Sequence, residues 1–316
     1  MADSEAGGPG GLFISPPVQR ALKSSSAIVA LESAVITHGL PFPLNQEAAF
    51  QMESAILAEG ATAATLAVIS GRIHVGLNHA EIETLARPGP NRKIGVRDFA
   101  SAALNNTSGG TTVAATMFAA SKAGIRVFAT GGIGGVHRES PFDISADMDA
   151  LARTPMIVVC AGAKSILDLG ATLELLETRS VPVLGFGTDE FPAFYSRTSG
   201  LGVTTRLDSP KAICEYWLAH RALSMPSAVL VVNPVPEESA IPLRDSESWV
   251  AQASKEATER GIRGQSLTPF LLRRLGELSG SRSLEANLAL LINNAQLSAR
   301  IAVALEDLEK AMERRS

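Results

Sequence analysis

Apolar and polar positions fall in blocks along the chain, and the period within each block predicts its structure. Ala27 to Ile36 (AIVALESAVI) is a continuous apolar run broken only by Glu32, which reads as a buried strand. Gln46 to Glu59 carries helical periodicity and stops at Gly60. Thr65 to Ile69 and Ile73 to Leu77 flank Ser70-Gly71-Arg72, which suits a tight hairpin and brings antiparallel pairing into the sheet. From Thr111 the pattern becomes helix (Thr111 to Ala123), strand (Ile125 to Thr130), glycine-rich loop (Gly131 to His137), helix, and strand again (Met156 to Ala161). Further apolar runs, Val181 to Phe186 and Ala228 to Val232, precede the Pro-rich turn Asn233 to Pro236, and two or three helices close the chain, the last starting at Leu284.

Strands alternating with helices of this length imply crossover connections, so the expected fold is α/β: a mixed, largely parallel central sheet covered by helices on both faces, an α/β/α sandwich. No internal repeat and no linker divides it. Residues 14–316 are expected to form a single large domain behind a flexible N-terminal leader, residues 1–13.

Composition narrows the class. The chain is 46% hydrophobic but only 5% aromatic, which fits a core of Ala, Val, Ile and Leu between sheet and helices. A net charge of −4 with scattered Lys and Arg offers no basic stripe, so nucleic acid is not an expected partner. The two cysteines, Cys160 and Cys214, lie far apart in apolar or helical stretches, which suits a reducing compartment and not a structural zinc site. With no run of about 18 apolar residues and no basic region ahead of an apolar one, neither a membrane span nor secretion is expected, and Glu313 to Ser316 is not a peroxisomal ending. Cytoplasmic localisation is the expectation.

Several segments carry candidate chemistry. Lys164, in Ala161-Gly162-Ala163-Lys164-Ser165, falls where a strand ends and a helix is expected to begin, the edge at which open α/β sheets bind ligands. A partly desolvated amine there is a usable nucleophile; the alternative is a solvated turn lysine. Glu32, inside an apolar strand, must be neutral, paired or turned into a cleft, and a carboxyl with a raised pKa can serve as a general acid. His38 and Gly39 are close enough to line the same cleft. Gly109-Gly110-Thr111-Thr112-Val113 suits an anion at a helix start, or an ordinary cap. Thr130 to Arg138 places four glycines after a strand, with His137 and Arg138 as donors, yet matches neither a dinucleotide fingerprint nor a phosphate-binding P-loop. Asp143-Ile144-Ser145-Ala146-Asp147 reads as a loop of hard oxygen groups that suits Mg²⁺ or Mn²⁺ with retained waters, although Asp147 could be a plain helix cap.

Together these segments resemble the pseudouridine-5'-phosphate glycosidase family (pseudouridylate synthase or indigoidine synthase A-like). The resemblance runs through Ala30-Leu31-Glu32-Ser33, His38-Gly39, Gly110 to Val113, Phe128 to Arg138, Asp143 to Asp147, Val159 to Asp168, Asn233-Pro234, Ala286-Asn287 and Asn293-Asn294, nearly the whole chain beyond Ile14. It implies reversible cleavage of the carbon–carbon glycosidic bond of pseudouridine 5'-phosphate to uracil and ribose 5-phosphate. It further implies that Lys164 is the nucleophile that forms a Schiff base at C1', Glu32 the proton donor, and Asp143 the protein ligand of a Mn²⁺-type ion, with Mg²⁺ as an alternative. Lys93, Val113, Ser145, Ala146 and Asp147 match substrate-contacting positions; Thr112, Thr130 and His137 join that shell, and Asn287 reads the uracil. The resemblance also implies a homotrimer and, with no kinase domain attached, a separate pseudouridine kinase. The competing readings are a Schiff-base lyase acting on another phosphosugar and a non-catalytic sugar-phosphate sensor.

The chemistry is coherent with these residues. A uracil carbon departs poorly from an oxocarbenium ion flanked by two carboxylates, whereas a lysine that converts C1' to an iminium drives carbon–carbon cleavage.

Overall fold

A computed structural model of the chain describes residues 11–138, 140–262 and 267–314. Leu12 and Ile14 alternate around Phe13 and form a short edge strand, β1 (Leu12–Ile14), followed by α1 (Pro16–Lys23), in which Pro16 and Pro17 occupy the first turn, where no amide donor is needed. The chain continues through β2 (Ile28–Leu31), a π-helical turn over Val35–Gly39, α2 (Leu44–Ala58), β3 (Thr62–Ile69), β4 (Arg72–Val75), α3 (His79–Ala86), β5 (Arg92–Ile94), α4 (Phe99–Leu104), β6 (Gly109–Thr111) and α5 (Val113–Lys122). Next come β7 (Val127–Ala129), β8 (Val136–His137), β9 (Ser140–Ile144), α6 (Asp147–Arg153), β10 (Ile157–Cys160), β11 (Leu167–Asp168), α7 (Leu169–Thr178) and β12 (Val183–Phe186). The chain ends through β13 (Thr205–Leu207), α8 (Pro210–Ala222), β14 (Val229–Val232), α9 (Leu243–Glu259), α10 (Leu267–Leu278) and α11 (Arg282–Glu313).

Eleven strands form the main sheet, in the order β1-β4-β3-β2-β7-β10-β14-β12-β13, with β6 joining β3 and β5 joining β6. Only β3–β4 and β3–β6 pair antiparallel, so the expected mixed, largely parallel sheet is found, including the 65–77 hairpin. Strands β2, β10 and β14 are buried at every position because helices cover both faces: α2, α8 and α11 pack together on one side, and α5, α6 and α7 form a second group. A small second sheet has the order β11-β8-β9.

The topology creates the site. From β2 the chain crosses to β3 on one side, and only later reaches β7 on the other, so strand order reverses between β2 and β7. Crevices at such reversals open beyond the carboxyl ends of the strands. The residues that leave β2, β7 and the adjacent β10 are Glu32, Thr130 to Gly135, and Ala161 to Lys164.

Two expectations are corrected. Leu12 and Phe13 are not leader but sheet, paired in register with Ile73 and His74; residues 1–10 lie outside the described residues. The 27–36 run is not one strand: β2 stops at Leu31, because Ser33 turns its hydroxyl to the Leu66 carbonyl (2.5 Å) and accepts from Thr111 N (3.0 Å). Separately, α11 holds an 18-residue window of mean hydropathy 1.4, enough by length and composition alone to cross a bilayer. It is instead a core helix, seated on β2, β7 and β10 with Asn287, Asn294 and Ser298 among its buried residues. Burial pushes both cysteine thiols up to about 12, so each is an inert part of the core.

Candidate active site

Glu32 is the first residue beyond β2, and only 6% of it is exposed. The Thr130 hydroxyl, arriving from the end of β7, donates to its carboxylate. Burial pushes this carboxyl above the usual glutamate range; the Lys164 ammonium, the Thr130 hydroxyl and Lys93 pull it back only partly, and Asp147 adds repulsion. The upward shift favours the protonated carboxyl, the form from which a general acid acts.

Lys164 sits in a tight crossing between β10 and β11. Its N–H donates to the Ile133 carbonyl (3.1 Å), and its own carbonyl accepts from Leu167 N (3.0 Å). The following turn is clamped by Arg138, which donates to the Ser165 carbonyl (3.0 Å) and the Leu167 carbonyl (3.1 Å) while pairing bidentately with Glu247 on α9 (2.7 and 2.8 Å). Arg138 is therefore a brace for the Lys164 loop and not a donor to a phosphate. The expected helix does not begin beside Lys164; α7 starts at Leu169, capped by Asp168, so the amine owes nothing to a helix dipole.

Glu32, Lys93 and Lys164 line one cavity of about 50 Å³ together with His38, Gly131, Gly132, Phe194, Asn287, Leu272 and Leu291. The Lys93 ammonium, from β5, is held below its usual value by burial and then by Lys164, with Asp147 and Glu32 opposing. Grooves of about 620 and 720 Å³ lie elsewhere on the surface, along α2 and beside Phe42 and Arg87, but neither brings an amine to a buried carboxyl. Convergence of chemistry, and not size, marks the small cavity as the site.

Thr112 caps α5, its hydroxyl accepting from Ala115 N (3.2 Å), and Val113 opens that helix. The two preceding glycines belong to β6 and serve packing: a Cβ on Gly110 would lie 2.4 Å from the Ser33 carbonyl oxygen, and one on Gly109 would lie 2.1 Å from that of Arg92. Asp147 is buried, and its two oxygens accept from Ala114 N (2.9 Å) and Gly134 N (2.8 Å), tying α5 to the glycine loop. Ser145 Oγ accepts from Asp147 N at 3.2 Å, and Ala146 is exposed before α6. His137 is half-buried on β8 and paired with Leu167 just beyond the Lys164 turn. Asn287 reaches the cavity from α11. Of the four loop glycines, Gly131 and Gly132 line the cavity, whereas Gly134 is packed on Ser145 and Gly135 on Thr172.

The comparisons decide the family. The profile described as Indigoidine synthase A like protein matches residues 17–304. The chain belongs to the indigoidine synthase A-like family. Within it, the chain is 50% identical over 297 residues to a protein of Solibacter usitatus named pseudouridine-5'-phosphate glycosidase, covering 93% of this chain and 99% of that one. It is 51% identical over 296 residues to a protein of the same name from Methylobacterium nodulans, covering 93% and 88%. Two solved members share the fold: an indigoidine synthase A-like protein of Thermotoga maritima (TM-score 0.86, 34% identity, 93% and 96% of the two chains) and the prealnumycin C-glycosynthase AlnA in complex with ribulose 5-phosphate (TM-score 0.87, 36% identity, 95% and 98%).

In this member of the family, Asp143 stands apart from the cavity lining. It lies on β9, not in a loop, and its exposed carboxylate makes no hydrogen bond or ion pair among the described residues. No cluster of three His, Cys, Asp or Glu exists among those residues either. One free hard oxygen donor fits Mn²⁺ or Mg²⁺ held mostly by water and substrate, and does not fit a metal caged by protein.

His38 faces the cavity with a defined tautomer. Its Nδ1 lies 2.7 Å from Thr37 Oγ1, whose own proton is directed to the Ser33 carbonyl (3.3 Å), so Nδ1–H donates and Nε2 keeps a lone pair. Burial, then Lys93, holds this imidazole below its usual pKa, in the neutral form. Phe194, Leu272 and Leu291 were not anticipated. Among 15 aromatic residues (11 Phe, 2 Trp, 2 Tyr), adjacency does not single out Phe194, because Phe194-Tyr195 is matched by a second adjacent pair, Tyr216-Trp217.

Proposed function

We propose that this chain reversibly cleaves the carbon–carbon glycosidic bond of pseudouridine 5'-phosphate, giving uracil and ribose 5-phosphate through a Schiff base on Lys164. The observation that carries the reading is the convergence of Lys164 and a buried Glu32, its carboxyl pushed above the usual range, from two distant strand ends at the strand-order reversal. The family assignment and relatives named for this activity at about half identity support it. A C-glycosynthase relative that binds a pentose phosphate supports the bond type.

In the cleavage direction the Lys164 amine bonds to C1' as the C1'–O4' bond breaks, and Glu32 supplies the proton taken by the ring oxygen. The C1'-bound nitrogen gives up a proton, its lone pair then forms the C1'=N iminium as the bond to uracil C5 breaks, and the proton released from nitrogen balances the one gained by C5. Water adds to the iminium and frees ribose 5-phosphate and the lysine. Lys93, Thr112, Val113, Ser145, Ala146, Asp147 and His137 are assigned to the phosphoribosyl half, Thr130 to orienting Glu32, and Asn287 to the uracil edge. Asp143 is the residue that would hold Mn²⁺, or Mg²⁺ in its place; when bound, the ion offsets phosphate charge and fixes the orientation of that half. The reading brings with it a homotrimer, a separate kinase that supplies the 5'-phosphate, and a cytoplasmic setting.

Incubation with ribose 5-phosphate and borohydride is expected to add one reduced pentose phosphate to Lys164, read by intact-mass and peptide mass spectrometry. Lys164→Ala is expected to lose the adduct and lower uracil release by about 10⁴-fold or more. An adduct on Lys93 instead would overturn the nucleophile assignment. A Lys164 adduct without uracil release would favour a lyase for a different phosphosugar conjugate.

A further inference from the structure

Phe194 is the one aromatic side chain, apart from the His38 imidazole, among the residues that line the cavity. Its backbone is unusual: φ is +61°, a conformation that a bulky aromatic residue adopts only when its surroundings force it. Those surroundings are visible. Phe194 N donates to the Ala161 carbonyl (3.1 Å), at the very end of the strand that leads to Lys164, and the turn is closed by Ala193 N donating to the Ser196 carbonyl (2.9 Å). Ser196 Oγ in turn donates to the Ile241 carbonyl (2.6 Å), and Tyr195 packs edge-on against the Phe194 ring with centroids 4.7 Å apart. The ring is thus locked in register with the nucleophile.

Two consecutive glycines define what lies beside it. A Cβ on Gly132 would meet the Phe194 ring at 2.6 Å, so the ring rests against that glycine's backbone. A Cβ on Gly131 would instead meet Leu291 at 3.1 Å and the Asn287 side-chain oxygen at 3.6 Å. An aromatic ring and an amide therefore flank one dipeptide of cavity wall, with Leu272 and Leu291 adding apolar surface. The cations of the cavity, Lys93 and Lys164, come from other elements, β5 and the β10 end. A flat, uncharged heterocycle with N–H and C=O groups on its rim is the ligand chemistry this corner suits.

We propose that Phe194 is the stacking surface for the pyrimidine half of the substrate, and that it sets the plane in which the base is presented to the carbon held by Lys164. The proposal rests on the reading of the site as a pyrimidine C-nucleotide lyase and adds to it a residue that grips the base alone.

The test first runs the reaction in the synthetic direction, with uracil and ribose 5-phosphate varied separately. Phe194→Leu keeps apolar volume but removes the π face; the KM for uracil is expected to rise about tenfold, while the KM for ribose 5-phosphate and the borohydride-trapped Lys164 adduct stay within about twofold. A second arm needs no variant and runs in the cleavage direction, where uracil is a product inhibitor. On the wild-type enzyme, 5,6-dihydrouracil keeps the polar rim of uracil but is puckered, and it is expected to inhibit cleavage about tenfold more weakly than uracil. An unchanged uracil KM in a folded Phe194→Leu, equal loss for both substrates, or equal inhibition by the two bases would overturn the proposal. If the adduct forms but the Phe194 and dihydrouracil arms give null results, only this inference fails. If the wild type forms no adduct and releases no uracil, the reading of the site fails and takes this inference with it.

Discussion

The ends of β2 and β10 and the face of β9 each present an ionisable group, and they are built in opposite ways. Glu32 and Lys164 leave buried strands of the main sheet; Thr130 holds the Glu32 carboxyl, and the Ile133 carbonyl and the Arg138 clamp on the following turn hold the backbone at Lys164. Asp143 sits on a two-sided ribbon next to Phe142, which is 97% exposed, and nothing in the described protein holds its carboxylate. Proton transfer and covalent capture need a fixed, dry geometry, because small displacements forfeit alignment. An ion that keeps most of its water needs only one accessible oxygen. Four residues on from Asp143, Asp147 turns inward and joins the two regions through Ala114 N and Gly134 N.

The sharpest way to break this contrast is at Glu32. Glu32→Gln removes the held proton and is expected to lower uracil release by about 10²–10⁴-fold. Its effect on stability has the opposite sign. The folded-state pKa is raised above the ordinary glutamate value of 4.5, so the protonated carboxyl contributes stability that is fully present below pH 4.5 and is lost as pH rises through the raised value. The glutamine cannot ionise and keeps that stability. Its melting temperature should therefore exceed that of the wild type near neutral pH, and the gap should close below pH 4.5. A variant that melts lower than the wild type across the whole range would mean that Glu32 is a structural partner and not a stored acid.

Asp147→Ala comes next in size. It strands two buried backbone N–H groups at once, at about 1–3 kcal/mol each by general experience, so a loss of about 2–6 kcal/mol is expected in urea unfolding. Asp147→Asn, which keeps one acceptor oxygen, should recover part of it. A loss below about 0.5 kcal/mol for the alanine would show that α5 and the glycine loop do not depend on this carboxylate, and the division into braced and open regions would lose its hinge.

What could be read from the chain follows the same division. The sheet order itself was not legible, but its parallel character was, because β2, β10 and β14 are apolar without alternation. Glu32 and Lys164 stood out because one is a charge in an apolar run and the other closes a strand among small residues. The misjudged segments are those where side chains bond to distant backbone. Ser33, through Leu66 and Thr111, ends β2 early, and hydropathy carries no trace of that bond. The glycines at 109, 110, 134 and 135 suggested room for a ligand, yet they admit the protein's own Arg92, Ser33, Ser145 and Thr172. A glycine reports close approach without naming what approaches. Phe194 went unnoticed for a related reason: its place in the cavity depends on a left-handed backbone fixed by Ala161, 33 positions earlier in the numbering.

The smallest effect on the fold is expected at Asp143, which is why it tests the contrast most cleanly. The carboxylate has no partner to lose among the described residues, so Asp143→Ala should leave unfolding within about 0.5 kcal/mol of the wild type, against the several-fold larger loss at Asp147. If it is the one protein ligand of a largely hydrated ion, its removal should shift the Mn²⁺ concentration for half-maximal uracil release upward by about tenfold or more, since ligand and near-ligand groups typically govern affinity on that scale. Asp143→Asn, which keeps an oxygen but not the charge, should fall between the two. Isothermal titration of Mn²⁺ into each protein with ribose 5-phosphate present reads the same shift without turnover. Equal Mn²⁺ midpoints in wild type and alanine variant would remove Asp143 from the metal role. A marked loss of stability would instead mean that the β8–β9 ribbon is held by this carboxylate after all, and that the exposed region is not the open half of the site.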